Sequence, residues 1–595
     1  MKINYLTVMA FLTVLLGVTQ PANAQWQTQS ILIKPGWTAV YLHVDVSYTN
    51  LDYLVGGDAA NPITEVWLWE PSVSSIQYIT TPATPITGGS QWANWARLGT
   101  GLTGTLASLA PNSAYLIHST ATTNYTWKIK GKPTLPSYTW TTTGINLVGF
   151  PTVTNSPPPF DTFLTPIPAL QSVADIYQYL GGNLSPSNPL EVFAPHTVTV
   201  TRGQAFWIRS GSYYNNYFGP FTVAMVNGAT EFGDSVSRTT FHLQNMTPFP
   251  VTVHLTLLPS ELPPANQTAS AGVPPLVVQG SLMASNVTYN VTNLTTTNVL
   301  SWNLAPQGSN GSDIMVTLGV NRSVFPNNPG ALYTGILKFT DSYGYTEVDV
   351  PVSAQAASYA GLWVGKALVS QVANYLKSYQ LNATNGLATN GNGSYIVSGV
   401  NTNLGATSAS FPMRLILHND GTNVNLLQRV FYGADVNSNI IVSTSESKLD
   451  PTQLANARRL TAIQFPWTPT NQMWKFSGSL LPGATLTTSA RVNYDDQAAN
   501  PFLHTYHPDH DNLDATFQHQ QLMGVESYQI DRAITLSITA AGNDFNSLTQ
   551  FGQAFSGNYS ETVTVTGLNA FQRSYNVAGS FAINRLSPIA VLTHP

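Results

Sequence analysis

Apolar and polar positions alternate strictly along several stretches of this chain. Val251, Val253, Leu255 and Leu257 are interleaved with Thr252, His254 and Thr256, and Val348, Val350 and Val352 alternate beyond the turn Asp341-Ser-Tyr-Gly344. A period of two sends one side chain of each pair to a core and the other to water, so both stretches predict half-buried strands. Phe411, Met413, Leu415 and Leu417 alternate in the same way, run into Asn419-Asp420-Gly421 and are followed by Val424 to Phe431, which predicts a hairpin. Helical periodicity is scarce. Its best case is Pro451 to Leu460, with Asp450 placed to cap and Pro451 at the tolerated first position. The fold class is all-β.

Three blocks recur in order in the N-terminal third. Gly36-Trp-Thr-Ala-Val-Tyr-Leu42 matches Gly144-Ile-Asn-Leu-Val-Gly-Phe150, Ile63-Thr-Glu-Val-Trp-Leu-Trp69 matches Val173-Ala-Asp-Ile-Tyr-Gln-Tyr179, and Asn112-Ser-Ala-Tyr-Leu-Ile117 matches Gly203-Gln-Ala-Phe-Trp-Ile208. The offsets of 108, 110 and 91 residues describe two copies of one β module with different loops, over 25–133 and 134–222. Residues 223–355 carry further alternating strands with Pro and Gly punctuation, the pattern of an immunoglobulin-like sandwich, interrupted by the Pro-rich segment Leu258 to Pro275. From Tyr359 to the end, an opening Ala360-Gly-Leu-Trp-Val-Gly365 and a closing Val577-to-Leu586 segment predict a larger barrel or sandwich whose first and last strands pair.

The duplicated blocks resemble a module of uncharacterised secreted multi-domain proteins of environmental bacteria. In these a G-W-N-L-V-G-L-P-like strand precedes I-x-x-I-W-x-Y-like and G-x-x-Y-W-I-like strands. A stretch like Tyr506-His-Pro-Asp-His-Asp-Asn-Leu-Asp514 occurs in the C-terminal domain of the same proteins. The resemblance implies a β-rich extracellular protein and brings no catalytic residues with it.

Composition narrows the destination. Met1 to Ala24 has one basic residue, Lys2, an apolar run too short for the ~20 residues of a spanning helix, and Ala22-Asn23-Ala24 before Gln25. That is the pattern of a secretory signal with a small-residue cleavage site, so residues 1–24 are expected to be removed and the rest secreted or periplasmic, without a membrane span. Cysteine is absent, so no disulfide can hold the exported chain and burial must do so. A net charge of −5 with only 9% charged residues offers no basic footprint for nucleic acid.

Candidate chemistry is concentrated in one place. Within 502–519 lie His504, His507, His510 and His519 with Asp509, Asp511 and Asp514. Pro508 forbids a continuous helix there, so the segment is expected to be a loop joining two strands. The three imidazoles of His504, His507 and His510 suit zinc, and the carboxylates of Asp509, Asp511 and Asp514 suit calcium. Calcium gains from the surroundings: between Arg491 and Arg532 stand seven acids and no Lys or Arg. Solvated Asx turns need no ion and account for the same residues. Neither H-E-x-x-H nor Gly-x-Ser-x-Gly occurs.

A second candidate is aromatic. Eight of thirteen tryptophans precede residue 141; Trp67 and Trp69 share one side of a strand, a pattern more typical of a core, whereas Trp92 and Trp95 lie in a less regular segment and are expected to be exposed for stacking on sugars. Two functions remain open. One is a secreted structural, adhesion or surface-recognition protein whose partner is a polysaccharide or cell-surface component. The other is an extracellular metal-assisted hydrolase built on the 504–514 cluster.

Overall fold

The computed structural model describes residues 25–594 apart from 71–78, 88–90, 99–103, 226–229, 285–286, 326–327, 329, 357, 383, 385, 401–402, 463–473, 495, 497–499, 501–527, 551 and 568–570. The chain divides into two compact units, Met1–Ala356 and Ala357–Pro595. Both are built from strands.

The first unit opens with β1 (Gln27–Ile33), β2 (Gly36–Leu42), β3 (Val44–Asp45), β4 (Ile63–Trp69), β5 (Trp92–Ala96), β6 (Ser113–Ser119) and β7 (Tyr125–Pro133). Then follow β8 (Ile145–Val148), β9 (Asp175–Gln178), β10 (Leu190–Glu191) and β11 (Phe206–Arg209). One antiparallel sheet runs β2-β6-β4-β5 and another β8-β11-β9-β10, the same path through the blocks that the sequence duplicates. Register is kept as well. Ala39 faces Leu116 and Val40 faces Tyr115, and their equivalents Leu147 and Val148 face Trp207 and Phe206. Val66–Ile117 and Trp67–Leu116 likewise correspond to Ile176–Ile208 and Tyr177–Trp207. A slip of one residue would exchange the two faces of a strand, so shared register means that equivalent side chains do equivalent work.

They do so on both faces. One face of each sheet packs on the other sheet: Ala39, Tyr41, Trp67, Trp69 and Leu116 meet Leu147, Tyr177, Tyr179 and Trp207 in one cluster. The opposite face of the first sheet, with Val40, Val66, Tyr115 and Ile117, is covered by the β1–β7 ribbon through Ile31, Ile33, Trp127 and Ile129. In the second sheet the equivalent Val148, Ile176, Phe206 and Ile208 are covered by two short helices, Phe160–Leu164 and Pro168–Gln171. Burial on both sides explains why these strands read as continuous apolar runs, such as Ala39 to Leu42, rather than as alternation.

Ten more strands complete the unit: β12 (Phe221–Met225), β13 (Thr230–Glu231), β14 (Arg238–Asn245), β15 (Val251–Pro259), β16 (Leu276–Met283), β17 (Thr288–Leu294), β18 (Val299–Leu304), β19 (Asp313–Val320), β20 (Leu332–Asp341) and β21 (Glu347–Gln355). They form the sandwich, with sheets β12-β14-β19-β16-β17 and β13-β21-β20-β15-β18. Val251, Val253, Leu255 and Leu257 are at most 1% exposed and share its core with Val348, Val350 and Val352. The Pro-rich segment lies against the first repeat: Trp26 donates to Ser260 Oγ (2.8 Å), and Lys130 Nζ donates to the Leu262 carbonyl (2.9 Å). Arg202 of the second repeat donates to the Glu347 carbonyl (2.7 Å) and to Asp349 Oδ2 (3.0 Å), which also accepts from Gln27 Nε2 (3.0 Å). A single buried carboxylate thereby ties both repeats to the sandwich.

In the second unit the strands are β22 (Gly361–Tyr379), β23 (Leu381–Asn382), β24 (Gly386–Leu387), β25 (Val397–Val400), β26 (Gly405–Asn419), β27 (Val424–Leu426), β28 (Arg429–Ala434), β29 (Ile440–Ser443), β30 (Arg458–Thr461), β31 (Trp474–Phe476), β32 (Thr485–Val492), β33 (Gln529–Ile538), β34 (Ala554–Thr566), β35 (Gln572–Ser587) and β36 (Leu592–Thr593). Eight run β31-β27-β26-β22-β35-β34-β33-β32 as one antiparallel sheet. Ser477 and Thr487 then exchange backbone hydrogen bonds of 2.7 and 3.0 Å, joining β31 to β32 and closing a barrel. The first and last long strands pair as expected, with Trp363 opposite Arg585 and Val372 opposite Val577. Gly579 sits where a Cβ would lie 2.0 Å from the Leu368 carbonyl, so only glycine lets β35 approach β22 this closely there.

Two local expectations are corrected. Pro451 to Leu460 is no α-helix: a 3-10 helix covers Pro451–Asn456 under the Asp450 cap (2.9 Å to Thr452 N–H), and Arg458–Thr461 pairs with β28 instead. The hairpin after Asn419-Asp420-Gly421 forms, with Leu417 opposite Leu426. It is shorter than Val424 to Phe431, because β28 leaves the barrel for a small sheet with β29, β30 and β36.

Candidate functional site

His504, His507, Asp509, His510, Asp511 and Asp514 all lie in 501–527, outside the described residues. The strands that carry the segment are described. β32 and β33 are antiparallel neighbours ending at the pair Val492–Ile530. Asn500, 4% exposed, fastens the two ends of the connection by donating from Nδ2 to the Asn493 carbonyl (2.8 Å) and the Tyr528 carbonyl (2.7 Å). Among the described residues no group of three or more His, Asp or Glu side chains is placed to hold a metal ion.

Trp92 and Trp95, expected as an exposed pair, are each 6% exposed. Standing three apart on β5, they point to opposite faces of a sheet that is covered on both. Trp92 enters the cluster between the repeats, its ring 5.0 Å from Trp69, while Trp95 packs on the other side and donates from Nε1 to Asp52 Oδ1 (2.8 Å). Neither presents a free ring to a sugar. Trp67 and Trp69 are buried too, as the core reading of their spacing holds.

The barrel supplies a surface that sequence reasoning missed. Alternation along β33 turns Ile530, Arg532, Ile534, Leu536 and Ile538 inward and Asp531, Ala533, Thr535 and Ser537 outward. Register places residues of the outward phase in rows: Thr487–Thr535–Ser560–Ala578, then Ser489–Ala533–Thr562–Asn576, then Arg491–Asp531–Thr564–Ser574, of which Ser574 is buried. The only charges in these rows neutralise each other, since Arg491 Nε donates to Asp531 Oδ1 at 2.6 Å. Thr562 donates to Asn576 Oδ1 at 2.9 Å, and Thr564 and Ser574 share a bond of 3.0 Å. Ala533 is the small member among larger neighbours, and around it Ser489, Arg491, Asp531, Thr562 and Thr564 line a concavity of about 340 Å³. The arrangement is a field of hydroxyl and amide groups able to donate or accept, without net charge because its one Arg and one Asp pair, and with a dent in it.

Asp531 and Arg532, adjacent in sequence, part company. Asp531 binds Arg491 outside, and Arg532 turns into the barrel to donate to Glu561, which also accepts from the Tyr559 hydroxyl (2.5 Å). Burial and the adjacent Glu561 carboxylate push the Tyr559 hydroxyl far above the ordinary phenol range, so it stays a donor. The signal was available: an Arg in the apolar phase of a strand needs a buried partner.

No family model matches the chain, and no curated protein does. Among solved structures it is similar to the Pseudomonas aeruginosa CupB2 chaperone, at 10% identity and a TM-score of 0.14, over 33% of this chain and 95% of that one. The E. coli chaperone DraB gives 10% identity and a TM-score of 0.14 over 33% of this chain and 91% of that one. The Salmonella enterica SafA pilin in complex with the SafB chaperone gives 10% and 0.14 over 36% and 92%.

Proposed function

We propose that this is an exported surface-recognition or adhesion protein that holds a neutral polysaccharide against the outer face of its C-terminal barrel. The observation that carries the proposal is the row pattern around Ala533: hydroxyl and amide groups at strand spacing, without net charge, beside a concavity large enough to seat part of a sugar chain. Uncharged polyols offer donors and acceptors in matching density and nothing for an ion pair to grip. The same face argues against a lipid-facing barrel, which would carry its apolar side chains outward; here they point in. Export follows from the signal pattern of residues 1–24.

The test is co-sedimentation of the purified chain with insoluble uncharged polysaccharides, cellulose and starch granules among them, and with alginate as a charged control. Retention on an uncharged polymer, weakened about tenfold (~1.4 kcal/mol) by Ala533→Arg, supports the proposal. No retention on any uncharged polymer, or retention that Ala533→Arg leaves unchanged, overturns it.

A further inference from the structure

We infer that the exported chain is covalently modified at Gln25, whose α-amino nitrogen closes onto its own side-chain carboxamide to form an N-terminal lactam. The inference rests on the export reading, in which the bond between Ala24 and Gln25 is cut. Cleavage leaves a primary amine beside a stretch that the fold holds firmly. Trp26 N–H donates to Ser260 Oγ (2.8 Å), the Trp26 carbonyl accepts from Glu261 N–H (2.8 Å), and Gln27 Nε2 donates to Asp349 (3.0 Å).

The side chain of Gln25 is buried here, and its Nε2 has no hydrogen-bond partner. The neighbouring Trp26 Nε1–H is buried without an acceptor as well, and the Lys132 ammonium lies 6.0 Å from the centre of the Trp26 ring. This corner already has two donors unmet, so a terminal ammonium, which brings three more, is poorly placed there.

Ring closure removes the charge and the orphaned carboxamide nitrogen together. The lone pair of the uncharged amine attacks Cδ, the bond from Cδ to Nε2 breaks, and Nε2 departs as ammonia with a proton from the attacking nitrogen. Atoms and electrons balance without an oxidant, reductant or cofactor. An ammonium and an orphaned carboxamide nitrogen are replaced by one neutral amide. The product also offers no free amine to an aminopeptidase, which suits a chain without disulfides outside the cell.

Intact-mass and N-terminal peptide mass spectrometry on full-length protein recovered from outside the producing cell tests this, sampled immediately and after storage. The expected result is a chain beginning at residue 25 that lacks the mass of one ammonia in most molecules at the first time point. A chain beginning at residue 25 with an intact Gln25 overturns the inference and leaves the export reading standing. A chain beginning at Met1 overturns both. In parallel, an aminopeptidase should release the first residue from Gln25→Ala and nothing from the natural chain; release of Gln from the natural chain also overturns the lactam.

Discussion

The paired repeats and the C-terminal barrel cover the apolar positions of antiparallel strands in opposite ways. Each repeat sheet is buried on both faces, one against its twin and one against a ribbon or two short helices, so its tryptophans are used up in packing. The barrel curls a single sheet onto itself, buries one face and leaves the other to water as rows of Ser, Thr and Asn. The difference teaches where to look for recognition in a β protein. Aromatic richness marks the repeats as the part given over to packing, and it is on the hydroxylated face of the barrel that the proposed recognition would take place.

The comparison is open to attack at three points. Trp207 stands at the junction of the repeats, its ring 4.9 Å from Trp69 and its Nε1 donating to Tyr179 (3.1 Å). Trp207→Ala should cost about 4 kcal/mol and lower the calorimetric transition of the first unit while the second unit's transition stays in place. A single merged transition, or equal shifts in both, would break the contrast between the two units.

Glu561→Leu attacks the barrel from within. It strips the carboxylate from a buried Arg532 and should destabilise the second unit by about 3 kcal/mol in urea unfolding, with Arg532→Met recovering most of the loss. Failure of the double variant to recover would mean that the pair does more than satisfy itself.

The smallest effect is the part of the first unit's pH slope that His43 contributes. Burial, with the Arg202 guanidinium nearby as the second cause, holds the fully buried His43 well below its ordinary value of 6.5. The unfolded chain therefore binds a proton that the folded chain refuses. Stability from this residue is complete above pH 6.5 and declines below it, by up to about 1.4 kcal/mol per pH unit. His43→Gln should flatten that part of the slope in melting curves between pH 6.5 and 5, and should leave the barrel's transition as it was.

Much of this architecture was legible in the chain. Alternation at Val251 to Leu257 marked a strand with one buried face, and the three recurring blocks marked two copies of one β module. The burial of Trp92 and Trp95 was not legible, because a short strand shows no period and nothing local says that both sides of its sheet are covered. Runs such as Val66-Trp-Leu-Trp69 carried the hint, since four apolar residues in succession leave no face for water. The outer face of the barrel escaped notice for the opposite reason. Thr, Ser and Asn are common everywhere in this chain, and only register brings Ser489, Ala533 and Thr562 side by side.

One contact between the repeats bears on how the chain arose. Tyr41 and Gly149 occupy the same position of the two copies, and they meet: a Cβ on Gly149 would lie 2.4 Å from that of Tyr41. In a pairing of two identical modules, a residue at such a place confronts its own likeness, and two tyrosines have no room there. Two modules in one chain are free of that restriction, because each copy can vary alone. Tyrosine in one and glycine in the other is a solution open to a duplicated sequence and closed to a symmetric pair of identical chains.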